Sequence, residues 1–375
     1  MGNVVITGIG MVTPLGNSPK GILEGILNNE SAVIEPEFET SEFDCSLCAA
    51  VSNFDPEQYF PDNKSLRLMN RDAQMAVVAA HLAMEDANVN SDITYPAEDI
   101  ALYGSTGVAG MSIEEITRII QYAACEDGTL NLENFGKIAL KRVRPVLSFR
   151  ILANMPICFV SIFQNIKGPN AVYTPWEGNG AQAIATGVQA INRGEVPLAL
   201  VGGCDVKTRE LSFINLQQLG IFDSWNRYGT GCIPGEGAAF LVLEDEEAAV
   251  KRGKRAYARI SNYKLGSIGG KATLSDVIHS IVSGLEINAS LKVIAAGDGD
   301  INIQENEEQA FKRSGLKLEQ ILKPKSHIGN LFAAAAAVQV GLGAELADRS
   351  SENQQVMTNC FGHGSEQGSF ILETI

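Results

Sequence analysis

A chain of 375 residues has room for two domains or so, at ~100–200 residues per domain. With 45% hydrophobic and 19% charged residues it has the composition of an ordinary soluble globular protein. Its net charge of −15 argues against a nucleic-acid surface and against binding to acidic lipid. The opening MGNVVITGIG has no basic region followed by a cleavable apolar segment, and no apolar run approaches the ~20 residues of a membrane span. The expectation is a cytoplasmic protein without membrane contact. Seven scattered cysteines, an odd number, fit free thiols in a reducing compartment. Cys45 and Cys48 form a lone C-x-x-C with no second Cys/His pair at zinc spacing, so no metal and no cofactor are expected.

In chain order, Val4–Gly10 reads as a β-branched strand running into glycines. Gly8 and Gly10 open a G-x-G, but Thr13 and Pro14 stand where a dinucleotide fingerprint needs glycine and helix. An amphipathic helix follows over residues 18–28, then an irregular stretch over 30–64 punctuated by Pro36, Pro56 and Pro61. Arg71–Ala87 is a strong helix that carries His81. Asp99–Ser105 is a strand entering a glycine-containing loop, and Ser112 with Glu115 has capping-box spacing. Lys137, Lys141, Arg142, Arg144 and Arg150 stand out against the acidic background, either as a solvated helix face or as a docking patch for an acidic partner. Asn154–Gln164 continues as helix.

The stretch from Gly168 to Asp205 reads as strand, tight turn, helix and strand. The strand is Ala171–Thr174, and the helix Gly180–Asn192 has apolar residues at Ala181, Ile184, Ala185, Val188 and Ile191. The buried strand is Val196–Val201. A sharp strand-to-helix turn is a common seat for a nucleophile, because the helix N-terminus offers N–H groups and partial positive charge. The residue at this apex is Glu177, well held there as an anion but a poor acyl acceptor. Beyond it come a glycine-rich loop, a strand at Ala238–Leu243, a charged helix at Asp245–Gly253 and a strand at Ala256–Tyr263. That places a division between 1–250 and 251–375. The second part repeats the alternation: helix 274–286, strand Leu291–Ala296, helix 303–314, loop KPKSHIGN, helix Leu331–Leu346, and strands at Val356–Cys360 and Phe370–Glu373. Alternation in both parts argues α/β layers.

Taken together, VVITGIGMVTPLGNS, the KGPN before the turn, ALVGGCD after it, GEGAAFLVLE, KSHIGN and the terminal FGHGSEQGSFIL resemble the β-ketoacyl-acyl-carrier-protein synthases over nearly the full length. The resemblance implies a thiolase fold, five layers αβαβα built from two similar halves, and a dimer in which Ala171–Thr174 pairs with its counterpart. The departures fall on the chemistry. Where the family has its nucleophilic cysteine this chain has Glu177. The histidine of H-G-T falls on Ala296, and that of K-S-x-x-G-H on Asn330, with Lys325 retained. The glycine-rich loop beside the site becomes Phe361, Gly362, His363 and Gly364. Condensation needs a thiolate to hold the chain and donors for the enolate; Glu177 cannot serve as the first, Ala296 cannot supply the second, and Asn330 can supply it only in part.

That pattern resembles the chain-length factor, or ketosynthase β subunit, of type II polyketide synthases. The implied role is non-catalytic. The chain would pair with an active, cysteine-bearing ketosynthase fed by an acyl carrier protein, and shape an interface tunnel that limits the growing polyketide. By position the wall candidates are Met111, Glu114 and Arg118, the last two being equally readable as an i,i+4 surface pair. Glu177 is expected to form a buried ion pair with Lys325. Two alternatives stay open: a malonyl-carrier-protein decarboxylase that primes the partner through Glu177, and a non-catalytic scaffold.

Overall fold

Two runs of aliphatic and β-branched segments build the same five-strand arrangement twice. The computed structural model describes residues 4–61, 63–108, 112–143, 147–287, 291–297, 299–350 and 354–375. The first run comprises β1 (Val4–Val12), β2 (Ile100–Thr106), β3 (Asn170–Tyr173), β4 (Leu198–Val206) and β5 (Glu236–Asp245). The second comprises β6 (Ala258–Ser267), β7 (Leu291–Ile294), β8 (Leu318–Leu322), β9 (Gln355–Cys360) and β10 (Glu366–Glu373). Their hydrogen-bonded order is β3-β2-β4-β5-β1-β6-β10-β9-β7-β8. In each run the first strand is antiparallel to the fifth and the fifth to the fourth. The fourth is parallel to the second, and the second to the third. The runs meet at β1 and β6 through two residue pairs, Val5 with Arg259 and Ile6 with Ala258.

The helices used below are α1 (Pro19–Leu27), α2 (Arg71–Asp86), α3 (Ile113–Gln121), α4 (Met155–Phe163), α5 (Glu177–Asn192), α6 (Glu210–Gln218), α7 (Leu274–Ser283), α8 (Ile301–Arg313) and α9 (Ala335–Asp348). The composition of α9 explains its place. Every residue from Ala335 to Leu346 is buried, and a helix apolar or small on all sides belongs inside. It packs against α5, and the pair lies between the strands of the two runs. α2 and α4 cover the outer face of the first run, while α7 and α8 cover that of the second. Three apolar clusters fill the spaces between, so the five αβαβα layers and two similar halves are present as expected.

The differences from expectation are local. The helix after the turn begins at Glu177 instead of Gly180, because the carboxylate is itself held inside. β10 starts four residues earlier, at Glu366. Leu318–Leu322 forms an edge strand, β8, whose exposed Glu319 and Ile321 obscure the apolar alternation. No helix of the described residues is long and apolar enough to cross a membrane.

This duplication positions the site. In the first run the connection from β3 enters central helix α5. In the second, the connection from β8 passes through the short turn Lys325–Ile328 and enters central helix α9. The two equivalent helix entrances face each other, with Asn330 in one touching Glu177 in the other.

Candidate functional site

The chain leaves β3, turns through Thr174-Pro175, and enters α5 at Glu177, with the Trp176 backbone N–H donating to Asn179 Oδ1 at 3.0 Å. Two glycines let the C-terminal loop press on this entrance. A Cβ on Gly178 would lie 1.8 Å from the Glu366 carbonyl oxygen, and one on Gly362 would lie 2.2 Å from the Glu177 carboxyl carbon. Only a bare backbone fits at either point.

Glu177 is fully buried. Its Oε1 accepts from Asn330 Nδ2 at 2.7 Å and from His363 Nδ1 at 3.1 Å, and its Oε2 accepts from the His363 backbone N–H at 3.2 Å. The other ring nitrogen of His363, Nε2, meets Asp300 Oδ2 at 2.8 Å. Ionised carboxylates only accept, so both ring nitrogens donate and the ring is an imidazolium. Burial alone would lower the pKa of His363. The Glu177 charge, with the hydrogen bonds to both carboxylates and the Asp300 charge, outweighs burial and raises it to about 9. The reverse holds for Glu177: burial opposes ionisation, but His363, the Lys325 charge and the Asn330 amide bring it down to about 2. Burial also opposes ionisation of Asp300, and its hydrogen bond to His363 leads the groups that lower its pKa.

The surrounding groups are tied independently. Asn330 Oδ1 accepts from the Phe332 N–H at 3.0 Å, which sets the amide with its NH2 toward Glu177. Phe332 has φ of 45°, a left-handed conformation that costs a non-glycine residue energy. Asp300 caps α8 by accepting from the Ile303 N–H at 3.2 Å. Gln367 holds the terminal loop from within, accepting from the Gly362 N–H at 2.9 Å and donating to the Gly364 carbonyl at 2.6 Å.

The expected direct pair of Glu177 with Lys325 is replaced. The charged contact of Glu177 is His363, and the buried Lys325 acts on it through its charge. A short histidine on the pressed-in loop reaches the carboxylate, and its backbone N–H arrives with it. Ala296 is buried in the outer core of the second half. Its N–H donates to Glu307 Oε1 at 3.1 Å, and Asn359 donates to the same oxygen at 2.7 Å. Its methyl group offers no donor to the site. Cys232 approaches Asn330 with its sulfur 3.7 Å from Nδ2, but burial drives its thiol pKa well up, away from thiolate reactivity. Among the described residues no group of three His, Cys, Asp or Glu could hold a metal ion.

Trp176 separates two cavities. On the His363 side a cavity of about 320 Å³ is lined by Trp176, Ile221, Asp300, Asn302 and His363. On the other side lies one of about 440 Å³, with apolar walls from Val108, Ile116, Ile151, Leu211 and Leu219. Its polar lining includes Asp72, Asp205, Lys207 and Arg209. Asp205 pairs with Lys207, and burial with the nearby Asp205 charge pushes Asp72 up to about 6.

The wall candidates are placed differently from one another. Met111 lies outside the described residues. Glu114 is exposed on α3, its carboxyl lowered first by the Ser112 hydroxyl. Arg118 lines a separate groove with Arg67, Arg142 and Arg150. Ile116, two residues from Glu114 and so on another face of the helix, reaches the large cavity. Within the basic cluster Lys137 pairs with Glu133, Arg150 with Glu115 at 2.9 Å, and Arg142 lies over the Tyr122 ring at 4.4 Å; Arg144 is outside the described residues.

Comparison with known proteins agrees with this architecture. A family model described as "Beta-ketoacyl synthase, N-terminal domain" matches residues 1–249. The chain is 24% identical to 3-oxoacyl-[acyl-carrier-protein] synthase 2 of Vibrio cholerae, covering 99% of this chain and 98% of that protein. Among solved structures it superposes on a Beta-ketoacyl synthase from Burkholderia phymatum with a TM-score of 0.81 at 24% identity, over 100% of both chains. It superposes on the ishigamide ketosynthase/chain length factor with a TM-score of 0.80 at 22% identity, over 100% of this chain and 99% of that one. The strand order, the duplicated halves and the matched residues agree: the chain belongs to the β-ketoacyl synthase family.

Proposed function

We propose that this chain is a non-catalytic ketosynthase-like subunit. It pairs in the cytoplasm with a cysteine-bearing ketosynthase and helps wall the tunnel that limits polyketide length. The observation that carries the reading is Glu177, buried at the entrance of α5 with both carboxylate oxygens engaged. A carboxylate so held has no open face toward a thioester, and acyl transfer by condensation needs a free thiolate. The fold likeness to the ishigamide ketosynthase/chain length factor supports the pairing. Exposed apolar residues between positions 120 and 162, Ile120, Leu130, Leu132, Leu140, Leu152 and Ile162, are available for such a contact. The strand β3 lies at the edge of the sheet with its outer side open to another strand. An acyl carrier protein would deliver substrate to the partner's cysteine.

Co-expression with a cysteine-bearing homologue tests this reading. Co-purification is expected, and Ile116→Trp in the reconstituted pair should shorten the product while turnover is kept. A chain that is monomeric beside every such homologue, or products unchanged by filling the cavity, would remove the proposal. The decarboxylase alternative requires carbon dioxide release from malonyl-carrier protein by the purified chain. The enclosure of Glu177 speaks against it.

A further inference from the structure

We propose that the Glu177 side chain is the resident ligand of a carboxylate-binding site, and that the site takes small free carboxylates once that side chain is cut back. The inference goes beyond the subunit reading and stands whether or not the chain has a ketosynthase partner.

Three donors converge on one carboxylate group: the Asn330 amide, the His363 ring and the His363 backbone N–H. None is positioned by Glu177 alone. The Asn330 oxygen is held by the Phe332 N–H, and its backbone N–H donates to the Ile233 carbonyl at 2.7 Å. The His363 ring is held from behind by Asp300, and Gln367 braces the loop on either side of His363. The donor set is therefore preorganised by bonds that survive the loss of the Glu177 side chain. The buried Lys325 brings positive charge to the cradle, and an anion bound there would hold the His363 ring protonated as Glu177 does in the native chain. Removing the carboxylate leaves these donors and charges without their partner in a space closed to solvent, which favours an anion of the same shape.

Size selects the ligand. What glutamate carries beyond its Cβ is a CH2–COO− group, the heavy-atom frame of acetate, so Glu177→Ala leaves an acetate-shaped vacancy and Glu177→Gly a propionate-shaped one. The cavity of about 320 Å³ reaches His363, whose side chain is 12% exposed, so only that ring stands between the cavity and the Glu177 carboxylate it contacts. In the native chain the site is already filled, so a substrate carboxylate finds its donors taken.

The test is thermal unfolding of Glu177→Ala at neutral pH and constant ionic strength, with sodium acetate, acetamide or sodium chloride added. Acetate should restore most of the lost melting temperature in a saturable way, and acetamide, which matches its shape without the charge, should not. Glu177→Gly should prefer propionate to acetate, the native chain should respond to none of them, and acetate should return the His363 ring resonance of Glu177→Ala to its native titration. Acetate acting no better than chloride or acetamide would overturn the proposal. Should Glu177→Ala fail to fold, refolding yield in acetate against acetamide is the readout: recovery with acetate alone supports the site, and equal or no recovery overturns it. A carboxylate response with no ketosynthase pairing would leave this inference standing and the subunit reading fallen.

Discussion

Trp176 has two sides, and the polar groups on them behave in opposite ways. Toward His363, Glu177 and Asp300 close on one imidazolium, and Asn330 completes the set; every charge there is answered within about one side-chain length. Toward Ile116, the buried Asp72 lies on the wall of a cavity of about 440 Å³ whose other walls are largely apolar. The contrast teaches that the ionised groups on one side are spent on each other, while the other side encloses largely apolar space. A reacting site keeps an unfinished valence of hydrogen bonds for its substrate. Here the Glu177 carboxylate is engaged through both oxygens and lowered by its partners, whereas burial and the Asp205 charge raise Asp72 beside the cavity.

The strongest way to break this contrast is to open the closed side. Glu177→Leu should cost about 3–5 kcal/mol of stability, read from urea unfolding, because it leaves a buried imidazolium facing an apolar group. A loss below about 1 kcal/mol would mean that the pair is not tightly coupled. Next in size is pH. Glu177, lowered from 4.5 to about 2, contributes fully above the ordinary carboxylate range and loses its contribution as pH falls toward 2. His363, raised from 6.5 to about 9, contributes fully below 6.5 and loses its contribution as pH rises through 9. Stability attributable to the site should therefore be flat between 4.5 and 6.5 and fall on both sides. Each limb is limited to about 1.4 kcal/mol per pH unit. His363→Gln should erase the alkaline limb, and persistence of that limb would assign it to another group.

On the open side the effects are smaller in energy and larger in product. Val108 is 67% exposed in the single chain, so Val108→Phe should leave stability within about 0.5 kcal/mol while narrowing the cavity and shifting products of the reconstituted pair to shorter chains. The smallest effect belongs to Glu114→Gln, an exposed position away from the cavity, which should change neither the melting temperature nor the product. A product shift there would restore Glu114 to the wall.

Much of the fold was legible because strand and helix periods are local. The helix at 177–192, the small-residue central helix and the repeated alternation each show within a short window of residues. Glu177, Ala296 and Asn330 drew attention by their place in motifs. What those residues touch was not legible. The contact of Glu177 with His363 spans 186 residues, and choosing Lys325 as its partner followed the place that the family resemblance gives that lysine, whereas the loop geometry set by Gly362 delivers a histidine and its backbone N–H together. Asp300 carried no signal beyond an acidic run. Ile116 was passed over for Glu114 and Arg118 because placing a helix face requires knowing what lies opposite it.

The strand order repeats, yet the repeats are not thermodynamically separate. Glu177 comes from the first and its donors Asn330 and His363 from the second, while α5 and α9 share one layer and β1 hydrogen-bonds to β6. Neither repeat can open without stranding charge or apolar surface on the other. A chain that looks like two tandem units should therefore melt in a single cooperative transition, with the calorimetric and van't Hoff enthalpies in agreement.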